Sequence, residues 1–109
     1  MSSPNPTEQD ARVDAMSLGI LMDQETAKHV DYVFLADVWA KDPRYSSRWM
    51  RIGEHRGLFR IDKETQEVSL LRAMNGDEAD KRFIKAAGKV LSEWKRLGAP
   101  PKATQFASG

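Results

Sequence analysis

Residues 77–97, DEADKRFIKAAGKVLSEWKRL, are the stretch on which the fold turns. Phe83, Ala87, Val90, Trp94 and Leu97 recur at steps of four, three, four and three, and Ile84 and Leu91 widen the same stripe. That spacing predicts an amphipathic α-helix. Lys81, Lys85, Lys89, Ser92, Lys95 and Arg96 fall mostly on the rest of its surface. Asn75-Gly76 predicts a turn ahead of it. Asp77 is expected to cap the first free N–H groups, with Glu78 and Asp80 at the positive end of the dipole and Lys95 and Arg96 at the negative end. Gly98 suits a left-handed C-cap, and Pro100 forbids continuation. Each buried Phe, Ile, Val, Leu or Trp contributes roughly 1.5–3 kcal/mol, so the stripe requires an apolar surface to lie on.

The nearest such surface is in residues 57–72, GLFRIDKETQEVSLLR. Phe59 and Ile61 alternate with Leu58, Arg60 and Asp62. After Lys63-Glu64-Thr65-Gln66, Val68 and Leu70 alternate with Glu67, Ser69 and Leu71. Period two on both sides of a short polar loop predicts a β-hairpin. If Asp62 opposes Glu67, then Ile61 opposes Val68 and Phe59 opposes Leu70, which makes one apolar face. A lone hairpin is marginal in water. The expected core is that face packed under the helix stripe.

Farther out, residues 23–41 admit two readings. As a helix, Asp23 caps it, Ala27, Val30, Phe34 and Val38 form a stripe flanked by Leu35 and Trp39, and Pro43 stops it. As a strand, Tyr32–Trp39 (YVFLADVW) has the β-branched and aromatic bias of a buried strand. Length and caps favour the helix, which is the reading taken. Residues 44–55 divide in the same way. On a helix, Tyr45, Trp49 and Ile52 share one face and Arg44, Arg48 and Arg51 an adjacent one. Ser46, Ser47 and Gly53 argue against it. Residues 11–22 suggest a short helix using Val13 and Met16. The expected fold class is α+β: a hairpin, or a three- or four-stranded antiparallel meander containing it, under a long C-terminal helix, with a further helix in the N-terminal half. Residues 1–10 are expected to be a disordered tail, 11–98 one domain, and 99–109 an extended tail in which Phe106 folds back onto the body.

The 109 residues are 40% hydrophobic and 30% charged, with three Trp and no Cys, which is the composition of one globular domain without thiolate chemistry. The longest apolar run, Ala15–Met22, is too short to span a bilayer, and a cytoplasmic protein is expected. The formal net charge of +1 hides a segregation. Residues 1–40 carry two basic and seven acidic side chains, 41–73 eight and five, and 74–109 seven and four. The sharper consequence is a basic surface for an anion, with the acidic third facing elsewhere. The blander one is a set of solvated faces.

Little in the chain suggests catalysis. His29 and His55 are the only histidines, and no metal-ligand spacing or phosphate-binding glycine loop is present. Ser46 and Ser47 have no evident base. No catalytic residue, metal or cofactor is expected. Gly88, beside Ala87, is expected to let a neighbour approach the helix. Trp94 is expected in the core and Trp39 at or near it. Trp49 stands among Arg44, Arg48, Arg51, Arg56, Arg60 and Lys63, a mixture that can bind phosphates and stack on bases, or serve as another partner surface. With 44–55 helical, the element order resembles the tail half of a winged helix-turn-helix domain. The expectation is therefore a non-enzymatic protein-interaction module: an inhibitor, adaptor or accessory factor. The alternative is a DNA-binding regulator using the basic 44–63 segment. In either case the 77–97 helix could form a homodimer.

Overall fold

The structure, a computed structural model, describes residues 11–13, 17–42 and 44–107. The expected N-terminal tail lies outside them. Up to residue 72 the described chain is mostly extended: β1 (Ala11–Val13), β2 (Ser17–Glu25), β3 (His29–Asp42), β4 (Tyr45–Asp62) and β5 (Val68–Arg72). A single 3-10 turn (Glu78–Asp80) leads into α1 (Lys81–Leu97), and the chain returns as β6 (Ala103–Ala107). All pairings are antiparallel, in the order β5-β4-β3-β2-β6, with β1 also against β3. The class is α+β, mostly β.

The helix expected over 24–41 does not form, and 44–55, which admitted a helix or a strand, is also extended. These segments are β3 and β4, paired from His29↔Asp62 to Asp42↔Tyr45. The ambiguity has a simple origin. Val30, Phe34 and Val38 lie four apart, which is one helical turn but also an even number, hence one face of a strand. The strand prevails because Tyr32, Ala36 and Ala40 fill the same face and all six are buried. Residues 30–35 also pair on both edges, with β2 and β4, so their backbone groups are satisfied within the sheet. The helix suggested for 11–22 is likewise replaced by β1 and β2, with residues 14–16 outside the described chain. Without a helix over 44–55, the winged helix-turn-helix arrangement loses its recognition helix.

The hairpin residues pair as Phe59↔Leu70 and Ile61↔Val68, the register implied by their alternation. They occupy only the end of an 18-residue strand. Asp62 shapes the turn, its carboxylate accepting from the Glu64 and Thr65 N–H groups at 2.8 and 2.9 Å. These contacts hold its pKa below the usual carboxylate value, the Thr65 N–H being the larger cause.

α1 starts four residues later than expected. Ala79 and Asp80 both have left-handed backbone (φ 52° and 54°), so the 3-10 turn and α1 are separate. Such residues cost of order 1 kcal/mol or more each. Glu78 and Asp80 therefore lie outside the first turn of α1. The Asp77 carboxylate reaches over the turn and accepts from the Arg82 and Phe83 N–H groups at 2.8 and 3.0 Å. At the other end Gly98 takes a left-handed φ of 77° and donates to the Trp94 carbonyl at 2.8 Å. The buried helix residues are Ala86, Ala87 and Val90, with Phe83, Leu91 and Trp94 partly buried against the core. Two expectations fail here. Ile84 and Leu97 are 62% and 53% exposed, because the stripe is centred on Ala86–Ala87. Gly88 faces open space rather than a neighbour.

Under α1 lie Leu18, Ile20, Val30, Tyr32, Phe34, Ala36, Phe59 and Ile61. Phe34 lays its ring on Gly57, where a Cβ would come within 2.2 Å of Cζ. Glycine is required there to make room. The Tyr32 hydroxyl donates to the Pro101 carbonyl at 2.7 Å and so anchors the exit from the helix to the sheet. Phe106 also packs partly buried on the core.

Seventeen helical residues reach roughly 25 Å at ~1.5 Å each. The molecule is 57 Å long. The helix therefore covers one end of one face of the sheet, and the β3–β4 ribbon continues past it as an arm.

Candidate partner-binding face

Directly opposed residues on neighbouring strands share a face of the sheet. On the face away from α1, the pairings place Ala103, Leu21, Val33 and Leu58 in one row across β6, β2, β3 and β4. The irregularity between Leu58 and Phe59 sets Leu71 and Arg72 of β5 at the end of that row. Leu21 and Leu71 are 48% and 45% exposed, and Val33 and Leu58 are half-buried. The next row holds Gln105, Gly19, Leu35 and Arg56. Because Gly19 has no side chain, a hollow of about 170 Å³ opens beside Leu35, bordered by Ser17, Asp37, Glu54 and Gln105.

Charged residues flank the apolar rows on both sides. Toward the β2–β3 turn, Arg60 Nε donates to Asp31 at 2.8 Å and its second nitrogen at 3.1 Å, a fork-on-carboxylate pair. The Asp31 side chain is only 5% exposed, so Arg60 acts as its lid. This bond, before all other causes, raises the Arg60 pKa. Toward the arm, Arg51 bonds Asp37 at 2.8 Å and Glu54 at 3.0 Å. Arg56 Nε also bonds Glu54 at 2.8 Å. The six charges of these rows, three acids and three arginines, cancel. Of the described acids in residues 1–40, Asp31 and Asp37 of β3 thus meet the arginines of β4.

The basic segment is distributed by this pairing. Arg51, Arg56, Arg60 and Trp49 lie on the helix-free face, where Trp39 opposes Arg51 and Lys41 opposes Trp49 with its Nζ 5.8 Å from the ring centre. Trp49 is 43% exposed. Ile52 is the extra residue of a bulge between the Val38↔Gly53 and Trp39↔Arg51 pairs, and its displacement leaves it exposed. Arg48 falls in the irregularity between the Lys41↔Trp49 and Asp42↔Tyr45 pairs and is exposed. Arg44 sits in the β3–β4 turn against Asp42, whose carboxylate accepts the Arg44 N–H at 2.9 Å. That backbone bond is the first cause of a lowered Asp42 pKa, followed by the bond and charge of the Arg44 side chain. Lys63 is at the opposite end of the sheet, paired with Glu25 at 2.8 Å. The seven residues of the expected surface therefore do not converge on one site.

The sequence reading missed Leu21, Val33, Leu35, Leu58 and Leu71 as a surface. Only Val33 and Leu35 had a local signal, in YVFLADVW, where apolar residues occupy both parities, as happens when one strand face is buried and the other half-covered. Among the described residues no three His, Asp or Glu side chains are grouped to hold a metal, and no helix is long and apolar enough to cross a membrane. Comparison with protein-family models, with curated proteins and with solved structures found no match.

Proposed function

We propose that the protein is a non-enzymatic protein-interaction module, an inhibitor, adaptor or accessory factor, whose partner docks on the helix-free face of the sheet. The observation that carries this reading is the row Leu21–Val33–Leu58–Leu71, left uncovered between two bands of internally paired charge. Interface centres favour apolar area without unpaired charge, and a polar rim. Here the arginines and carboxylates of the two flanking bands already have partners, and Arg72 stands exposed at the β5 end of the row. A homodimer through α1 has less support: its exposed surface carries Lys81, Lys85, Lys95 and Arg96, which two copies would set against one another.

The test is photo-crosslinking in the native cell from positions 21 and 58, followed by pull-down with Leu58→Glu and Lys95→Glu chains. One partner crosslinked from the face, lost with Leu58→Glu and kept with Lys95→Glu, is the expected result. A partner retained by Leu58→Glu would refute the proposed surface.

A nucleic-acid partner is the second reading. It is favoured by the alignment of Arg51, Arg56 and Arg60 with Trp39 and Trp49 on one face, since cations and aromatic platforms together bind single strands. Against it stands the carboxylate already on each of those arginines. Anisotropy with labelled oligonucleotides at low salt decides. Micromolar binding that weakens steeply with salt would favour nucleic acid over protein.

A further inference from the structure

Among the described residues the longest unpaired edge of the sheet belongs to β4. Strand β5 covers β4 only from Leu58 onward, and no described strand pairs with that side of β4 from Tyr45 to Gly57. The strands at the two ends of the order, β5 and β6, are only 5 residues each. A row of free backbone N–H and C=O groups is a template for another strand. Two large apolar side chains stand beside it, Trp49 and Ile52, both 43% exposed. We propose that two copies of the chain pair antiparallel through this edge, over residues 49–56, about a two-fold axis perpendicular to the sheet.

The order of side chains points to a second copy as the occupant. The bulge at Ile52 breaks the alternation, so Trp49, Arg51, Glu54 and Arg56 all lie on the helix-free face. A two-fold pairing that sets Arg51 against Glu54 of the copy also sets Trp49 against Arg56 and Met50 against His55. Each arginine then meets a carboxylate or a ring, and no like charges are directly opposed. At the centre, the exposed Ile52 of each copy stands across from Gly53 of the other, where the missing side chain leaves open space. A regular strand would fall out of step at the bulge. A second copy carries the same extra residue within the same span and stays in step. The bulge therefore selects this chain over an arbitrary extended peptide. Within one chain Arg51 and Arg56 already share Glu54, and Arg51 also holds Asp37. Exchange of these partners across the axis leaves no charge alone.

The contact is bounded at both ends: residues 46–48 have no opposite on β3, and β5 begins to pair at Leu58. A contact this short buries little area, so the dimer forms only as concentration rises. With the axis perpendicular to the sheet, both helix-free faces point the same way, and the row of Leu21, Val33 and Leu58 is presented twice. The inference rests on the β4 edge and does not need that row to bind a partner.

The experiment is disulfide trapping and sedimentation on the full chain. The sequence has no Cys, so introduced cysteines report contacts cleanly. Arg51→Cys chain mixed with Glu54→Cys chain is expected to oxidise to a linked dimer, and neither alone, because position 51 lies beyond disulfide reach of its own copy. The parent chain is expected to pass from monomer to dimer between micromolar and millimolar concentration. Glu54→Arg sets like charges across the axis and should weaken that dimer roughly tenfold or more. If amide NMR shows that Glu54→Arg does not fold, the cysteine mixture decides. Leu21→Glu should leave dimerisation unchanged, which separates failure here from failure of the partner face. A parent chain that stays monomeric at millimolar concentration would overturn the proposal. So would a dimer linked by Gln105→Cys on β6 and not by the mixed 51 and 54 variants.

Discussion

The β3–β4 ribbon is one continuous pairing with two very different halves. In the half under α1, the pairs Val30↔Ile61, Tyr32↔Phe59 and Phe34↔Gly57 are buried, and ring centres are 5.6–6.3 Å apart in the contacts Tyr32–Phe59, Phe34–Phe59, Phe34–Phe83 and Phe59–Phe83. In the arm, the pairs include Asp37↔Glu54, Trp39↔Arg51 and Lys41↔Trp49, and the ribbon is interrupted by two irregularities. Val38 and Ala40 are buried there too, but outside the cluster that packs with α1. The same secondary structure thus rests on apolar burial at one end and on strand pairing with surface ion pairs at the other. Exposed ion pairs contribute little each. The arm should therefore be the part that opens first and adapts to a partner.

The largest contrast is expected from aromatic truncation. Phe34→Ala should cost about 3–5 kcal/mol, the usual range for emptying a buried ring site. Trp49→Ala in the arm should stay within about 1 kcal/mol, as for most surface positions. Chemical denaturation of both variants measures the difference, and equal losses would erase the distinction between the halves. A glycine pair sharpens it. Gly57→Ala drives a Cβ into Phe34 and should cost about 1–3 kcal/mol, as overpacking does. Gly53→Ala meets nothing within 4 Å and should be neutral or slightly stabilising.

Next comes the helix exit. Tyr32→Phe leaves the Pro101 carbonyl without its donor and should cost about 1–2 kcal/mol. Burial pushes the Tyr32 hydroxyl pKa well above the usual tyrosine value, with the Glu25 charge adding to it. Its contribution is complete below the unfolded tyrosine pKa and is lost as pH rises beyond that value, because only the unfolded chain ionises readily. A stability–pH profile with an alkaline decline in the parent, shallower in Tyr32→Phe, is the expected result.

The smallest effect is at the acid end of the arm. Asp42 and Asp62 have lowered pKa values, mainly from backbone N–H donors, so each contributes stability above the unfolded carboxylate pKa and loses it as pH falls through the folded one. Amide exchange in residues 37–54 should accelerate on acidification, and Asp42→Asn should reproduce part of that change at neutral pH. No change in either condition would show that the Asp42–Arg44 turn does not hold the tip of the arm.

Two elements were legible because their patterns had one solution. Steps of three and four over 83–94 fit a helix alone, and strict alternation over 59–70 fits a strand alone. In β3 the apolar steps of four suit both a helix and one strand face, and apolar side chains also fill the other parity. Arg44 and Arg48, also four apart, imitated a helix face in the same way. The site was harder still. Leu21, Val33 and Leu58 belong to three strands, and nothing local in any of them marks a shared surface.

The amino-acid order by itself determined the C-terminal helix body, its Gly98 stop, the Phe59–Leu70 and Ile61–Val68 pairs, and a chain built around one apolar core. These depend on periodicity and local caps, which act within a few residues. Only the tertiary structure decided that β2, β3 and β4 form one sheet, that Asp31 and Asp37 meet Arg60 and Arg51 across strands, and that one face stays uncovered. Those outcomes depend on register between distant segments and on a helix too short to cover the sheet it packs against.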